Sequence, residues 1–395
     1  MTSTDDSSEI ELQEVRFGEG GLLYSFARAV GLLPGWGGVV RVGVAIALLT
    51  WLPLVVLSAI ERTLWSGPTI PLRQSFGTHA RLILAIPVFF WAESLFTGRI
   101  TEVLHTMLQS QLVRPEDLPR FGRARRQARR WWESQAVEAV FIVLAAVAIY
   151  GGLRTDISAG VATWRTTADG RLSVAGWWYT AVSLPFFQFL LWRWAWRLLV
   201  WGQLLWKISR LNLDLVPTHP DRAGGLGSLG VAHVDLAPLG FAASAVLAAS
   251  FAEEIMFGGR AVGQAAVPAV GTILGSTLAW IAPLFLFSRR LLEVRQRGLL
   301  EYGALATTYA RDFDTKWLRG GAPPDEPFLG SADLQSLADL GNSFGVISDM
   351  RIVPIGQSQV LMLAVAAALP LLPLALFAFP LDELILRGLT SLVGV

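Results

Sequence analysis

Runs of apolar residues long enough to cross a bilayer constrain this chain more than any other feature. Seven of them, at 39–60, 81–96, 137–152, 177–201, 236–257, 267–287 and 360–379, carry few charges or none. A helix rises about 1.5 Å per residue, so about 20 residues cover the roughly 30 Å of hydrocarbon. The second and third runs are short at their cores, and each is expected to gain a turn from its flanks. Backbone amides find no water in hydrocarbon, which makes a helix the natural structure for each run. A transmembrane barrel needs alternating segments of about ten residues, and unbroken stretches such as Val360-Leu-Met-Leu-Ala-Val-Ala-Ala-Ala argue against one. The expected fold is all-α, a polytopic membrane helix bundle with seven transmembrane helices.

Composition points the same way. Charged residues are 16% of the 395 and hydrophobic residues 53%, whereas a soluble globular domain carries about 25% charged residues. That shortage of polar surface excludes a cytosolic enzyme, a disordered scaffold and a disulfide-rich secreted domain. The chain has no cysteine, which removes disulfides, thiolate metal ligands and thiol catalysis. A formal net charge of +1 gives no electrostatic case for nucleic acid. Only Lys207 and Lys316 among the 32 basic residues are lysines. That usage reads as a GC-rich bacterial genome, and the expected location is the cell inner membrane as a multi-pass protein. Residues 1–19 are acidic and polar, without the basic flank and short apolar core of a cleaved signal, so the N-terminus is expected to be kept.

Arginine placement sets the expected orientation, because basic loops stay cytoplasmic. Eight arginines from Arg99 to Arg130 lie between the second and third runs; seven arginines and Lys316 lie between the sixth and seventh; Lys207, Arg210 and Arg222 follow the fourth. The alternate connections hold Arg62 and Arg73, then Arg154, Arg165 and Arg171, then Arg260 alone. All three rich connections share one side if the N-terminus is cytoplasmic and the C-terminus outside. The chain then divides into a cytoplasmic tail at 1–38 with an interfacial helix at 22–30, a six-span region at 39–287 with basic cytoplasmic loops, a cytoplasmic helical segment at 288–359, and the seventh span with an outer C-terminus at 360–395. Apolar residues at helical spacing from Leu292 to Phe313 predict that the sixth helix continues into the cytoplasm. Gly320-Gly-Ala-Pro-Pro-Asp-Glu-Pro breaks it, and Ser331 reads as the N-cap of a short helix through Leu340.

Four sets of residues are candidates for function. Glu61, Glu253, Glu254, Asp382 and Glu383 fall at the outer ends of spans and are read as a pore-mouth acidic set, since rings of carboxylates concentrate cations; solvated helix-end charges are the alternative. Arg41, Glu93, Glu138, Arg193 and Arg197 form an inner-leaflet charge cluster. In it Arg41 is expected to pair with Glu93, and the two span-four arginines to stack on Trp192, Trp194 and Trp196. Snorkelling and structural ion pairs are the alternative to a gate or an anionic-lipid site. His219, Asp221, His233 and Asp235 make two His-x-Asp units in a Gly-rich connection. Their side chains suit a divalent metal, the glycine-rich backbone suits a phosphate, and a structural turn explains the same letters. The last span, with Ala366, Pro370, Pro373 and Phe377, is uncharged and proline-broken, which fits a pore-lining helix as well as a packed one.

The stretches His219-Pro-Asp-Arg-Ala-Gly-Gly-Leu-Gly, Leu337-Ala-Asp-Leu-Gly-Asn-Ser-Phe and Met350-Arg-Ile-Val-Pro, with residues 369–383, resemble a bacterial family of uncharacterised polytopic membrane proteins, a resemblance that implies no activity. In plan alone the chain is similar to the insect-chemoreceptor-like seven-helix ion channels: seven spans, N-terminus in, C-terminus out, and a long last cytoplasmic loop before a short final span. That resemblance implies a ligand-gated cation channel lined by the last helix of a tetramer. The Thr-Tyr…Gln-Phe signature of the insect receptors is missing from span seven, and no residue role carries over.

The function expected from these features is an oligomeric inner-membrane channel or permeation pathway, cation-preferring, with its pore lined by the last span. A membrane enzyme or lipid-handling protein using the His-x-Asp loop is one alternative, and a membrane sensor or assembly platform another. No enzyme motif of the His-Glu-x-x-His type is present, and no cofactor is expected. The expected partners are the lipid bilayer, further copies of the chain, and anionic lipid at the cytoplasmic face.

Overall fold

The computed structural model describes residues 38–66, 70–158, 163–167 and 169–377, side chains excepted at 150–158, 375 and 376. Among these residues the regular structure is all helical, with isolated β-bridges but no strand. The helices are α1 (Gly38–Ile60), α2 (Phe76–Gln109), α3 (Leu118–Trp132), α4 (Gln135–Ser158), α5 (Val174–Ser209), α6 (Gly227–Val234), α7 (Ala237–Phe257), α8 (Gly263–Ile281), α9 (Ser288–Phe313), α10 (Ala332–Ser348) and α11 (Gln357–Ala368). Six stretches are long and apolar enough to cross a membrane, and a seventh crossing is added if Pro115–Trp132 and Gln135–Ile149, bent at 40°, count as one. The expected interfacial helix at 22–30 and the end of the last span lie outside the described residues.

Two expected short runs are longer than their apolar cores. α2 absorbs the amphipathic stretch after residue 99 and ends at Gln109, and α4 extends from Gln135 to Ser158. α10 likewise runs past Leu340 to Ser348. Its glycines do not stop it, because Phe344 and Ile347 keep the apolar period against α9, where they face Gly303 and Gly298.

Prolines shape the spans in a repeated way. Pro87 in α2 and Pro185 in α5 each follow a wide π-turn, Ala80–Ala85 and Tyr179–Ser183. A proline cannot donate to the carbonyl four residues back and its ring presses on it; an extra residue in the turn relieves both problems. Both π-turns pack against α1, where Ser183 Oγ donates to Thr50 O at 2.7 Å. Pro283 and the Pro370–Pro373 pair act differently, tightening the chain into 3-10 turns at Ala282–Phe287 and Leu369–Phe377.

The connections are stitched into two separate ends. At one end Asp214 N donates to Leu112 O at 2.8 Å and Arg351 N to Arg222 O at 2.7 Å. Asn212 N donates to Asp117 Oδ2 at 2.7 Å. These bonds join the three arginine-rich connections. At the other end Trp164 N donates to Ile70 O at 3.2 Å, joining the connections that follow α1 and α4. The main core runs between them around Phe96, whose ring lies 5.8 Å from Trp201 and 6.3 Å from both Trp132 and Trp194. A smaller cluster of Ala248, Phe251, Ala265, Leu371 and Leu374 joins α7, α8 and the segment after α11.

Candidate functional site

The most unusual chemistry lies between α2, α4 and α5, where two carboxylates and two guanidiniums are buried together. Glu93, Glu138, Arg193 and Arg197 are 8%, 4%, 4% and 1% exposed. Arg193 grips Glu93 with a two-pronged contact, Nη1 to Oε2 at 2.5 Å and Nη2 to Oε1 at 3.0 Å, and its Nε donates to Glu138 Oε1 at 3.0 Å. Such forked, charge-assisted bonds are the strongest in proteins. Arg197 Nη1 lies 2.7 Å from Glu93 Oε1, but off the direction of a good hydrogen bond, and Arg197 Nε and Nη2 have no hydrogen-bond partner among the described residues. The contact acts as an ion pair, because charge attraction survives poor angles where a hydrogen bond does not. The Arg197 guanidinium is also 4.9 Å from the Trp132 ring centre and 6.0 Å from that of Trp194. Two positive and two negative groups cancel, which is what lets them stay out of water.

The expected pairing of Arg41 with Glu93 is not formed. The buried face of α1 is Val42, Gly43, Ile46 and Ala47, so Arg41 falls outside it and is exposed. Glu93 turns instead toward α5. Of the expected tryptophans Trp194 lies near Arg197, whereas Trp192 is exposed and Trp196 stacks on Trp131 at 5.8 Å. The closer partner, Trp132, was not singled out from sequence. Its only signal was its place beside the bend that carries Glu138 into the bundle.

Of the carboxylates read as a pore mouth, the three among the described residues have separate partners. Glu61 accepts from Val174 N at 2.7 Å and Ala175 N at 3.1 Å, while Ser173 Oγ accepts from Gly176 N at 2.8 Å. Together they satisfy the free amides that open α5. Glu253 accepts from Gly77 N at 3.2 Å at the start of α2. Glu254 pairs with Arg260, which lies 4.8 Å over the Phe251 ring. Asp382 and Glu383 lie outside the described residues. Along the last span Ala366 and Pro370 are half-buried, and Pro373 and Phe377 exposed.

The two His-x-Asp units also stay apart, and among the described residues no group of three metal-ligating side chains converges. His219 Nδ1 lies 2.8 Å from Asp221 Oδ1. The Asp221 carboxylate accepts from the amides of Ala223 at 2.7 Å, Gly225 at 3.2 Å and Gly227 at 2.8 Å. The amides expected to cradle a phosphate are thus taken by the loop's own carboxylate. Gly225 has φ +98°, and a Cβ there would lie 2.5 Å from Leu112, so the glycine serves a tight turn. His233 is fully buried, accepts from Trp201 Nε1 at 3.1 Å on Nε2, and donates from Nδ1 to Trp280 O. Both ring nitrogens are occupied, which leaves none for a metal. Asp235 binds Arg99 at 3.0 Å.

Comparison of the chain with family models, with curated proteins and with solved structures returned no match.

Proposed function

We propose that the chain is a multi-pass integral membrane protein with seven crossings, N-terminus cytoplasmic and C-terminus outside, which serves as a membrane-embedded assembly platform or sensor. One observation carries the reading: the helical stretch Gly263–Leu318 is 56 residues long, about 84 Å at about 1.5 Å per residue and far more than a bilayer needs. Its first part is among the least covered surfaces of the protein, with Val267, Val270, Leu274 and Leu278 all more than half exposed, as lipid contact requires. Its second part, α9, carries α10 folded back on it as a hairpin. Lys316 bridges Glu326 at 2.6 Å and Asp333 at 2.7 Å, and Trp317 Nε1 donates to Asp333 at 3.0 Å. A helical arm from bilayer to hairpin suits display or transmission.

A second reading, an oligomeric permeation pathway lined by the last span, is favoured by a different observation. In the single chain only 17% of the apolar window in Gly263–Leu318 and 22% of that in Gln357–Leu374 is buried, against 33% to 39% in the other candidate spans. Those two faces are where further copies would pack. Reconstitution into sealed vesicles separates the readings. The platform is expected to give no ion flux above empty vesicles; a cation current that changes when Pro373 or Phe377 is replaced would establish the pathway and remove the platform.

A further inference from the structure

At the arginine-rich end, the close of α5 and the start of α9 diverge around a cavity of about 600 Å³. Four arginines, Arg210, Arg289, Arg290 and Arg297, line it with a single carboxylate, Glu293. Glu293 is engaged by Arg289 Nε at 3.0 Å. Arg210, Arg290 and Arg297 have no carboxylate partner among the described residues; Arg210 instead lies 5.6 Å over the Trp206 ring. Three guanidiniums around one cavity repel each other. An anion in the cavity reverses the sign of the interaction.

The walls say which anion. Guanidinium forks match the spread oxygens of a phosphate ester. Ser209 and Asn212 add neutral polar groups to the lining, while Leu213, Leu286 and Val294 supply apolar contact. Arg289 and Arg290 come one residue after the 3-10 turn that ends at Phe287, so in a bilayer the mouth stands at headgroup level. Basic pockets between spans on the cytoplasmic side are a recurrent solution for anionic headgroups.

We propose that this cavity is a binding site for a phosphate ester, held by Arg210, Arg290 and Arg297 with its apolar part against Trp206 and Leu286. The headgroup of an anionic phospholipid and a soluble phosphate ester share this chemistry. The headgroup source rests on the membrane placement proposed above, whereas affinity for phosphate does not. The full chain is tested in two settings: in phosphatidylcholine nanodiscs doped with phosphatidylglycerol, with bound lipid read by native mass spectrometry, and in detergent with glycerol phosphate, read by phosphorus NMR line broadening. Binding to phosphatidylglycerol alone assigns the lipid source, and binding to glycerol phosphate assigns the soluble one. The R290Q/R297Q double variant is expected to weaken either by about tenfold or more, and R290K/R297K to recover part of the loss. The R123Q/R126Q pair removes the same charge from exposed positions on α3 and is the control. Should the double variant fail to fold, R210Q, on the neighbouring segment, takes its place with the same expectation. Binding that is absent with both probes, or that falls no further in the pocket variants than in the control, overturns the site.

Discussion

Glu93 meets both arginines of α5, and this is where the effect of one residue is largest. Glu93→Gln keeps the shape but leaves two buried guanidiniums facing only Glu138; breaking a buried pair costs about 3–5 kcal/mol. Replacing Glu93, Glu138, Arg193 and Arg197 together with apolar residues of similar volume is expected to cost less than Glu93→Gln alone, because the desolvation penalty goes with the charges. Thermal melting of the purified protein in detergent checks the order. Glu61 tests a smaller effect: Glu61→Ala leaves the first amides of α5 without their acceptor and is expected to lose about 0.5–2 kcal/mol. If Glu61 belonged to an ion pathway instead, the variant would change ion permeation and leave the melting point in place.

At the scale of elements, α1 and α2 meet closely where Gly43 faces Phe90; a Cβ at Gly43 would lie 2.8 Å from Phe90 Cβ. Gly43→Val is expected to push the helices apart at a cost of about 1–3 kcal/mol, read as a lowered melting point that Phe90→Ala partly restores. The α9–α10 hairpin is pinned by charge and therefore by pH. The Lys316 ammonium, and behind it the Trp317 indole, hold the carboxyl of Asp333 below its ordinary value, and Asp333 and Glu326 in turn raise Lys316. A depressed carboxyl contributes stability above its unfolded pKa and loses it as pH falls through the folded one. A raised lysine contributes below its unfolded pKa and loses it as pH climbs through the folded one. The pin thus holds across the whole range between them. Proteolysis of the linker at 319–331 is expected to stay slow at neutral pH and quicken only below the usual carboxylate range, about pH 4; in Asp333→Asn it is already fast at neutral pH.

For the whole molecule, the lack of cysteine makes the native chain its own background for single-site labelling. Thr167→Cys, in the connection after α4, is expected to react with an impermeant maleimide on intact cells, and Gln335→Cys, in the hairpin, only after lysis. The reverse pattern inverts the proposed orientation. Much of this plan was legible in the sequence. Hydrocarbon admits few structures, so apolar run lengths located six candidate spans, the run at 137–152 passing only together with the helix before it, and spacing from Leu292 to Phe313 foretold the helix beyond the sixth. The outer carboxylates and His-x-Asp units were legible only as residue types, because an acceptor for a helix start and an ion ligand look alike in a string of letters.

The sequence by itself determined which stretches become helices, where prolines disturb them and which connections carry the arginines, because those properties depend on residues within a few turns of one another. The tertiary structure alone decided that Glu93 meets Arg193 and not Arg41, that Asp221 fills its own loop, and that Arg210 and Arg290 face one cavity. Such partners lie far apart along the chain, and their meeting depends on how each helix is rotated about its axis, which packing against neighbours sets.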